Sequence, residues 1–209
     1  MRLYLASTSP ARLATLRAAG IEPVVVHSNL DEDAAVAAAG PLTPQEMVLL
    51  LARLKAEAVL STLVDGTVID GLVLGGDSAF ELDGAVYGKP HTARVARERW
   101  ELQRGREGQL HSGHWLIDHR GGTVNGASGE VSSAHVQFAD VTDAEIDAYI
   151  ATGEPLEVAG AFTIDSLGSA FIDGVRGDPH AVVGVSVATV RRLVRGFGIE
   201  WQSLWNRAL

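Results

Sequence analysis

The segment LYLASTSPARLATLRAAG, residues 3–20, indicates the class of fold that this chain adopts. Leu3–Ala6 is a short apolar run, typical of a buried strand. Ser7–Pro10 then supplies hydroxyl side chains that can cap a helix and a proline suited to its first turn. Two leucines spaced three residues apart follow, and Gly20 ends the pattern. The segment therefore predicts a strand that passes directly into a helix.

The rest of the chain continues to alternate between the two kinds of element. Thr43–Glu46 and Thr142–Glu145 are capping boxes, which predict two further helix starts. Helical patterns also cover Thr92–Gln103 and Val187–Arg195. The remaining apolar runs predict strands at Val24–Val26, Val68–Leu82, Ala85–Tyr87, His111–Ile117, Val131–Phe138, Ala170–Asp173 and Ala181–Val185.

Asp83-Gly84 is a dipeptide that favours a two-residue hairpin turn, so two of these strands should be antiparallel. The pattern predicts an α/β or α+β protein with a mixed β-sheet and flanking helices. The glycine-rich stretch Gly121–Gly129 is interpreted as a long loop rather than a linker. A chain of 209 residues suits one domain, or one domain with two lobes, and we predict a single domain over residues 1–209.

Composition excludes several classes of function. The chain has no cysteine, which rules out disulfides, zinc–thiolate sites and a cysteine nucleophile. Its net charge of −9 argues against broad binding to nucleic acid or anionic lipid, although one small polyanion could still bind. The first apolar run is too short for a signal peptide, and no stretch approaches the ~20 apolar residues of a membrane span. We therefore expect a soluble, cytoplasmic protein.

The helix start after Ser7-Thr8-Ser9 is the first candidate site. Unpaired N–H groups and the positive end of the helix dipole favour an anion there. Arg12 lies in the first turn, where a cation is unfavourable unless an anion lies between it and the helix start. The alternative is ordinary capping by Ser9 with Arg12 in solvent.

Asp77 is the second candidate, because a carboxylate inside an apolar strand requires a partner, water or a metal. Gly75 and Gly76 precede it and could allow a ligand or a backbone segment to come close. The alternative is an outward-facing carboxylate on a half-exposed strand. The hairpin register places Lys89 opposite Ser78, one residue from Asp77, although neighbouring glycine and proline residues should disturb the pairing.

Two further charged positions have both a functional and a simple structural interpretation. Lys55 lies at the border of a helical apolar stripe, where a lysine ordinarily extends its amine to solvent. Leu30–Asp33 is an acidic cluster in a predicted loop, either a solvated turn or a source of oxygen ligands for Mg²⁺ or Mn²⁺. The seven histidines show no metal-ligand spacing and are interpreted as structural.

The order of these motifs resembles the Maf family along almost the whole chain. The resemblance implies an inosine-triphosphatase-like α/β fold with two lobes around a deep cleft, and commonly a homodimer. The motifs are Leu5–Arg12, Asp31-Glu32, Ala52–Ala56, Gly76–Ser78, Gly88–Pro90, Tyr149–Pro155, Ala159–Phe162 and Val182–Gly184.

The resemblance also assigns roles to residues by position. It implies that Asp77 is a general base and that Glu32 joins it in binding Mg²⁺ or Mn²⁺. The implied phosphate-contacting residues are Ser7, Arg12, Lys55 and Lys89, and the helix-start argument adds Thr8 and Ser9 as phosphate-binding residues.

The positions that set base selectivity in the family depart from its known patterns. They hold Ala11, Ser78 and Asp165, which match neither the arginine, threonine and glutamine of the pyrimidine-selective subgroup nor the tryptophan, glutamine and glutamate of the 7-methyl-GTP subgroup. The preferred base is left undetermined.

The resulting hypothesis is a nucleoside triphosphate pyrophosphatase in which metal-assisted attack of water on the α-phosphorus releases nucleoside monophosphate and pyrophosphate. The alternative is a nucleotide-binding regulator of septum formation without catalysis. Retention of Asp77, Glu32 and the lysines favours the enzyme, because a pure sensor does not need a base.

Overall fold

The computed structural model describes residues 1–207 and shows a mixed α/β fold. Nine strands are present within that range: β1 Leu3–Ala6, β2 Val24–Val25, β3 Leu63–Val64, β4 Thr67–Val68, β5 Gly71–Leu82, β6 Ala85–Tyr87, β7 Glu107–His119, β8 Gly126–Phe138 and β9 Ile172–Gly177. The α-helices are α1 Pro10–Ala18, α2 Glu32–Ala39, α3 Pro44–Ala58, α4 Ala93–Gln103, α5 Asp143–Ala151, α6 Pro179–Val183 and α7 Val187–Gly196.

Seven of the strands form one mixed sheet, which confirms the predicted fold class. The order is β2-β1-β5-β7-β8-β9, with β6 paired to β5. Strand β1 runs parallel to both β2 and β5, whereas the β5–β6 and β8–β9 pairs are antiparallel. Strands β3 and β4 form a separate antiparallel pair.

The chain divides into two compact units. Unit 1 consists of residues 1–77, 112–132 and the described residues from 184 onward, and unit 2 of residues 78–111 and 133–183. The core of unit 1 is largely aliphatic, with Leu5, Leu74 and Leu116 among its buried members. The core of unit 2 is aromatic, and its Trp100 indole N–H donates to the Ala161 carbonyl oxygen over 2.8 Å. The division into two units does not decide whether the chain is one domain, so the single domain over residues 1–209 stays a prediction.

Local sequence chemistry sets most element boundaries as predicted. Both capping boxes are formed, with Thr43 and Glu46 starting α3 and Thr142 and Glu145 starting α5. The predicted hairpin turn is also confirmed, because Asp83 and Gly84 have φ values of 52° and 77°. Two consecutive positive φ values are what a type I′ turn requires, and Gly84 adopts its value without steric penalty.

Three element predictions are wrong. Ala181–Val185 was expected to be a strand, but Pro179–Val183 forms α6, with Asp178 accepting backbone N–H groups at its start. The loop expected over Gly121–Gly129 is short, since β8 begins at Gly126. The acidic cluster is not a loop either: Asp31 caps α2 by accepting the Ala34 N–H over 2.9 Å.

The boundaries of several predicted strands also differ from the structure. Strands β7 and β8 begin four and five residues earlier than the predicted His111–Ile117 and Val131–Phe138. The strand predicted over Val68–Leu82 is broken before Gly71, which has a φ of 153° and lies against the Arg2 carbonyl oxygen. The strand predicted over Ala170–Asp173 begins only at Ile172, because a short 3-10 helix covers Leu167–Phe171.

Helix α3 lies unusually close to the sheet because two strand positions lack a side chain. A Cβ atom added at Gly75 of β5 would lie 1.9 Å from the Ala52 carbonyl oxygen. One added at Gly113 of β7 would lie 2.3 Å from the Val48 carbonyl oxygen. The glycine pattern before Asp77 therefore marks the approach of a backbone segment, and that approach positions Lys55 on α3.

Over the part of the chain that the structure describes, no helix has the length and hydrophobicity needed to cross a membrane.

Candidate active site

The turn between β1 and α1 is organised by its two serines. Ser9 is the N-cap of α1, and its hydroxyl oxygen accepts the Arg12 backbone N–H over 3.4 Å. The Ser7 hydroxyl oxygen accepts the Ser9 N–H over 3.3 Å and an Arg12 guanidinium N–H over 2.9 Å. Because these bonds use the Ser7 oxygen as an acceptor, its own proton can be donated to a ligand.

Arg12 does not extend into solvent, so the ordinary capping interpretation with a solvated arginine is wrong. The residue is 8% exposed, and its Nε–H donates to the Gly184 carbonyl oxygen over 2.8 Å. A Cβ atom at Gly76 would lie 3.2 Å from Arg12 Nε, so the second glycine before Asp77 makes room for this side chain. Burial lowers the pKa of Arg12, while the charges of Asp77 and Glu32 oppose that change.

Asp77 is buried rather than outward-facing. It is 8% exposed, and its Oδ1 lies 2.7 Å from the Lys55 ammonium nitrogen. Burial raises the pKa of Asp77, and the positive charges of Lys55 and Arg12 partly offset that rise. A carboxylate in this state holds a proton more readily than an exposed aspartate does, which suits a group that must accept one.

Lys55 connects two carboxylates. Its Nζ lies 2.8 Å from Glu32 Oε1 as well as 2.7 Å from Asp77 Oδ1. The Lys55 side chain is only 10% exposed, so the interpretation of a lysine reaching to solvent is wrong, whereas the Glu32 side chain is 48% exposed. Unit 1 thus brings together four predicted residues, namely Arg12, Glu32, Lys55 and Asp77. When all four are ionised, the two positive and two negative charges sum to zero.

The site offers two carboxylates that could contribute ligands to a divalent cation. Among the described residues, no group of three or more histidine, aspartate or glutamate side chains could hold a metal ion. Mg²⁺ is commonly held by one or two carboxylates together with substrate phosphates. Asp77 and Glu32 supply two carboxylates of this kind on either side of one ammonium group.

The remaining predicted site residues are less constrained or belong to unit 2. Thr8 is exposed and Ala11 half-buried in unit 1. In unit 2, the β5–β6 register pairs Phe80 with Tyr87, which is the predicted alignment, but the pairing ends before it reaches Ser78 and Lys89. Lys89 is exposed, as is Asp165. Their roles stay predictions.

Glu154 in unit 2 organises a segment whose fixed geometry the sequence did not reveal. Its carboxylate accepts hydrogen bonds from five groups between 2.6 and 3.3 Å away: the hydroxyls of Tyr149, Thr163 and Ser166 and the backbone N–H groups of Leu167 and Gly168. Partial burial alone would raise the pKa of Glu154, but these hydrogen bonds lower it to about 2. The sequence signals were the motif Tyr149–Pro155, which contains Glu154, and the serine- and threonine-containing stretch that follows it.

Two of the seven histidines, on β7, are fully buried. His111 in unit 2 lies 2.9 Å from a Glu81 carboxylate oxygen and 2.7 Å from the Ser133 hydroxyl. His114 in unit 1 accepts the Ser186 backbone N–H at Nε2 over 2.8 Å. Their different partners agree with the prediction that they do not share a strand face.

Comparison with known proteins connects this geometry to one family. The family model described as "Maf-like protein" matches residues 2–197. A protein of Leifsonia xyli subsp. xyli named nucleoside triphosphate pyrophosphatase is 72% identical over 212 residues, covering 100% of this chain and 98% of that protein. A Rhodococcus opacus protein of the same name is 48% identical over 202 residues, covering 96% and 94% respectively.

Among solved structures, the Staphylococcus aureus Ham1 protein matches 67% of this chain and 73% of its own, with 16% identity and a TM-score of 0.42. The description of the fold rests on the strands and helices of this chain.

Proposed function

Because the chain belongs to the Maf-like protein family, we propose that it is a nucleoside triphosphate pyrophosphatase. It hydrolyses nucleoside triphosphates to nucleoside monophosphate and pyrophosphate. The observation that carries the proposal is the meeting of buried Arg12, Lys55 and Asp77 beside the start of α1. Two buried cations next to a helix N-terminus suit a polyphosphate, and the adjacent buried carboxylate suits proton abstraction from water.

The β1–α1 turn and Arg12 bind phosphate oxygens in this proposal. Pro10 has no N–H and the Arg12 N–H is bonded to Ser9, so α1 offers the anion its Ala11 N–H and the positive end of its dipole, and the Ser7 hydroxyl donates its proton. Ser9 fixes the helix start, and Thr8 lies beside it. Arg12 remains charged despite its lowered pKa, because the ordinary arginine pKa lies far above neutral pH.

Asp77 takes the proton of the attacking water. The water oxygen forms a bond to the α-phosphorus, the bond from that phosphorus to the bridging oxygen breaks, and pyrophosphate leaves with the bonding electrons. Lys55 holds the Asp77 carboxylate in place, with 2.7 Å between Nζ and Oδ1. Positive charge at the phosphates stabilises the charge that develops on the leaving group.

Asp77 and Glu32 would hold a Mg²⁺ or Mn²⁺ ion together with the substrate phosphates. Such an ion neutralises phosphate charge and polarises the phosphoryl oxygens. The charges of Arg12, Lys55, Asp77 and Glu32 cancel, so these four side chains alone offer a polyanion no net positive charge. A bound divalent cation removes this deficit.

Residues of unit 2 complete the proposal. Lys89 contacts phosphate. The choice of base is set by Ser78 and Asp165, which also belong to unit 2, and by Ala11, which belongs to unit 1. The protein works as a cytoplasmic homodimer. The four residue roles are supported by the positions of these residues in the family pattern and by the exposure of Lys89 and Asp165. The homodimer is supported by the resemblance to the family alone.

A pyrophosphate-release assay tests the proposal across a panel of ribo-, deoxyribo- and modified nucleoside triphosphates, with Mg²⁺ or Mn²⁺. Asp77→Asn should lower kcat by roughly 10²–10⁴-fold, the usual contribution of a general base, while nucleotide still binds. Asp147→Asn, the same change at an exposed position on α5, serves as the matched control. Binding without turnover by the wild-type protein would favour the regulator of septum formation instead.

A further inference from the structure

The contacts of the two ring nitrogens of His114 show which of them carries the proton. The imidazole is fully buried on β7. Its Nδ1 lies 3.3 Å from the backbone carbonyl oxygen of Glu130, and its Nε2 accepts the Ser186 N–H over 2.8 Å. A carbonyl oxygen can only accept and an N–H can only donate, so Nδ1 carries the proton and Nε2 presents its lone pair. The ring is therefore a neutral imidazole held in one tautomer.

The Ser186 N–H belongs to the same short turn as the carbonyl group that binds Arg12. In the turn Gly184–Ser186, the Gly184 carbonyl oxygen accepts the Arg12 Nε–H over 2.8 Å. Val185 is 1% exposed, and Ser186 caps α7 by accepting the Thr189 N–H over 3.0 Å. The turn is thus bound to His114 of β7 through Ser186 and to Arg12 through Gly184.

Gly184 gives this turn a conformation that other residues rarely adopt. Its φ is 118°, a value at which an L side chain is strained. The direction of the Gly184 carbonyl group therefore depends on how the following peptide units are anchored. His114 supplies that anchor from within the core, because it binds the N–H of Ser186, which lies two residues after Gly184.

We propose that His114 is a positioning residue for Arg12, acting through the turn Gly184–Ser186. The proposal rests on the proposed function, in which Arg12 binds a phosphate of the substrate. His114 fixes the Ser186 N–H, and the turn fixes the Gly184 carbonyl oxygen. That oxygen, together with the Ser7 hydroxyl, fixes the plane of the Arg12 guanidinium group. A planar guanidinium recognises phosphate by direction as well as by charge, so a small rotation weakens binding.

The test replaces His114 by residues that keep or lose the acceptor. Gln offers an amide oxygen to the Ser186 N–H, whereas Leu has a similar volume and no acceptor. A misplaced binding group can reduce turnover efficiency by up to about 10²-fold, so kcat/KM should fall by roughly 10- to 100-fold in His114→Leu, mainly through KM. His114→Gln should recover most of the loss. If Leu does not give folded protein, His114→Asn replaces it, because its shorter amide does not reach Ser186.

A matched control separates this role from support of the fold. His119 is also buried on β7, and its Nδ1 lies 2.9 Å from the Ile69 carbonyl oxygen. His119→Leu should lower the melting temperature to a similar extent as His114→Leu and leave KM unchanged. An equal rise of KM in both variants would mean that any buried histidine of β7 has the same effect, and would overturn the proposal.

Coupling to Arg12 provides the decisive comparison. Arg12→Lys keeps the charge and removes the Nε–H that meets Gly184, so His114→Leu should add little further loss of kcat/KM in that background. Equal effects of His114→Leu in both backgrounds would overturn the proposal.

A second readout does not require turnover. The Arg12 Nε–H signal in ¹⁵N NMR should exchange slowly with solvent in the wild-type and His114→Gln proteins and faster in His114→Leu. Unchanged exchange in His114→Leu would also overturn the proposal. Failure of the proposed function can be told apart from failure of the His114 proposal. In the first case the wild-type protein would release no pyrophosphate from any nucleotide, and the exchange of the Arg12 Nε–H would still show whether His114 positions Arg12.

Discussion

Lys55 and Asp77 form a buried ion pair, with 2.7 Å between the ammonium nitrogen and Oδ1. The pair joins α3 to β5, and it forms because Gly75 lets the helix backbone approach the strand. Burial of two charges is favourable only when they meet with good geometry, so the pair connects the packing of unit 1 with the chemistry of its site.

Removal of one partner of this pair should destabilise the protein. Lys55→Met leaves the Asp77 carboxylate buried without its ammonium partner, and loss of one partner of a buried pair costs about 3–5 kcal/mol. Chemical denaturation measures the effect. The double variant Lys55→Met/Asp77→Asn should be more stable than the sum of the single changes predicts, and strict additivity would show that the two residues are not coupled.

Gly75→Ala should move α3 away from β5. The added Cβ would lie 1.9 Å from the Ala52 carbonyl oxygen, so the backbone must shift, and overpacking of this kind typically costs about 1–3 kcal/mol or more. Pyrophosphate release should fall as well, because Lys55 moves with the helix. Gly174→Ala, at a strand position with open space, is the control and should alter neither property.

Glu154 should stabilise unit 2 only above acidic pH. Its pKa is about 2 in the folded protein against an ordinary 4.5, so the stabilisation is fully present above about pH 4.5 and is lost as the pH falls toward 2. At neutral pH, Glu154→Gln should reduce the free energy of unfolding by about 1.5–3 kcal/mol, as for hydrogen bonds to a charged group.

The difference in unfolding free energy between the wild-type protein and Glu154→Gln should therefore shrink as the pH is lowered. Denaturation curves between pH 7 and pH 2 measure it, and Glu98→Gln on the exposed face of α4 is the control. A difference that does not depend on pH would show that Glu154 acts through packing rather than charge.

Asp165→Asn should alter the ranking of bases without altering the fold. The residue is exposed, and surface substitutions usually change stability by less than about 0.5 kcal/mol. The ratios of kcat/KM among nucleoside triphosphates measure the effect, and Asp173→Asn, exposed on β9, is the comparison. Identical rankings in all three proteins would remove Asp165 from base recognition.

Removal of divalent metal should abolish turnover and leave the melting temperature unchanged. In the proposed function, Asp77 and Glu32 would hold the ion together with substrate phosphates, so we expect it to serve the reaction and not the fold. Thermal melting with and without chelator, beside a pyrophosphate assay restored by Mg²⁺ or Mn²⁺, measures both. Melting that shifts sharply with chelator would contradict this expectation.

The elements that the sequence predicted well are those with local chemical signals. Capping boxes, the Pro10 helix start and the Asp83-Gly84 turn are set by neighbouring residues, so their positions follow from the chain alone. The segment Ala181–Val185 is different, because its apolar run suits either a short helix or a strand, and only the contacts around Asp178 decide.

The structure places four of the predicted site residues, Arg12, Glu32, Lys55 and Asp77, near one another, but the sequence did not show how they meet. An isolated aspartate after two glycines indicated a close approach, yet the sequence could not show that Gly75 admits α3 and Gly76 admits Arg12. Lys55 resembled a surface lysine because its partners lie 22 and 23 positions away along the chain. Gly184 is 172 positions from Arg12 along the chain, and no local sequence pattern predicts a contact over that separation.

Helix α2 carries Glu32 but none of its residues is buried. Little apolar packing opposes its local opening, so amide hydrogens in this helix should exchange with solvent through small fluctuations rather than through global unfolding. Glu32 reaches Lys55 only while this helix is formed. The exposed carboxylate of the site is thus carried by an element of low local stability, whereas Asp77 is fixed in the central sheet.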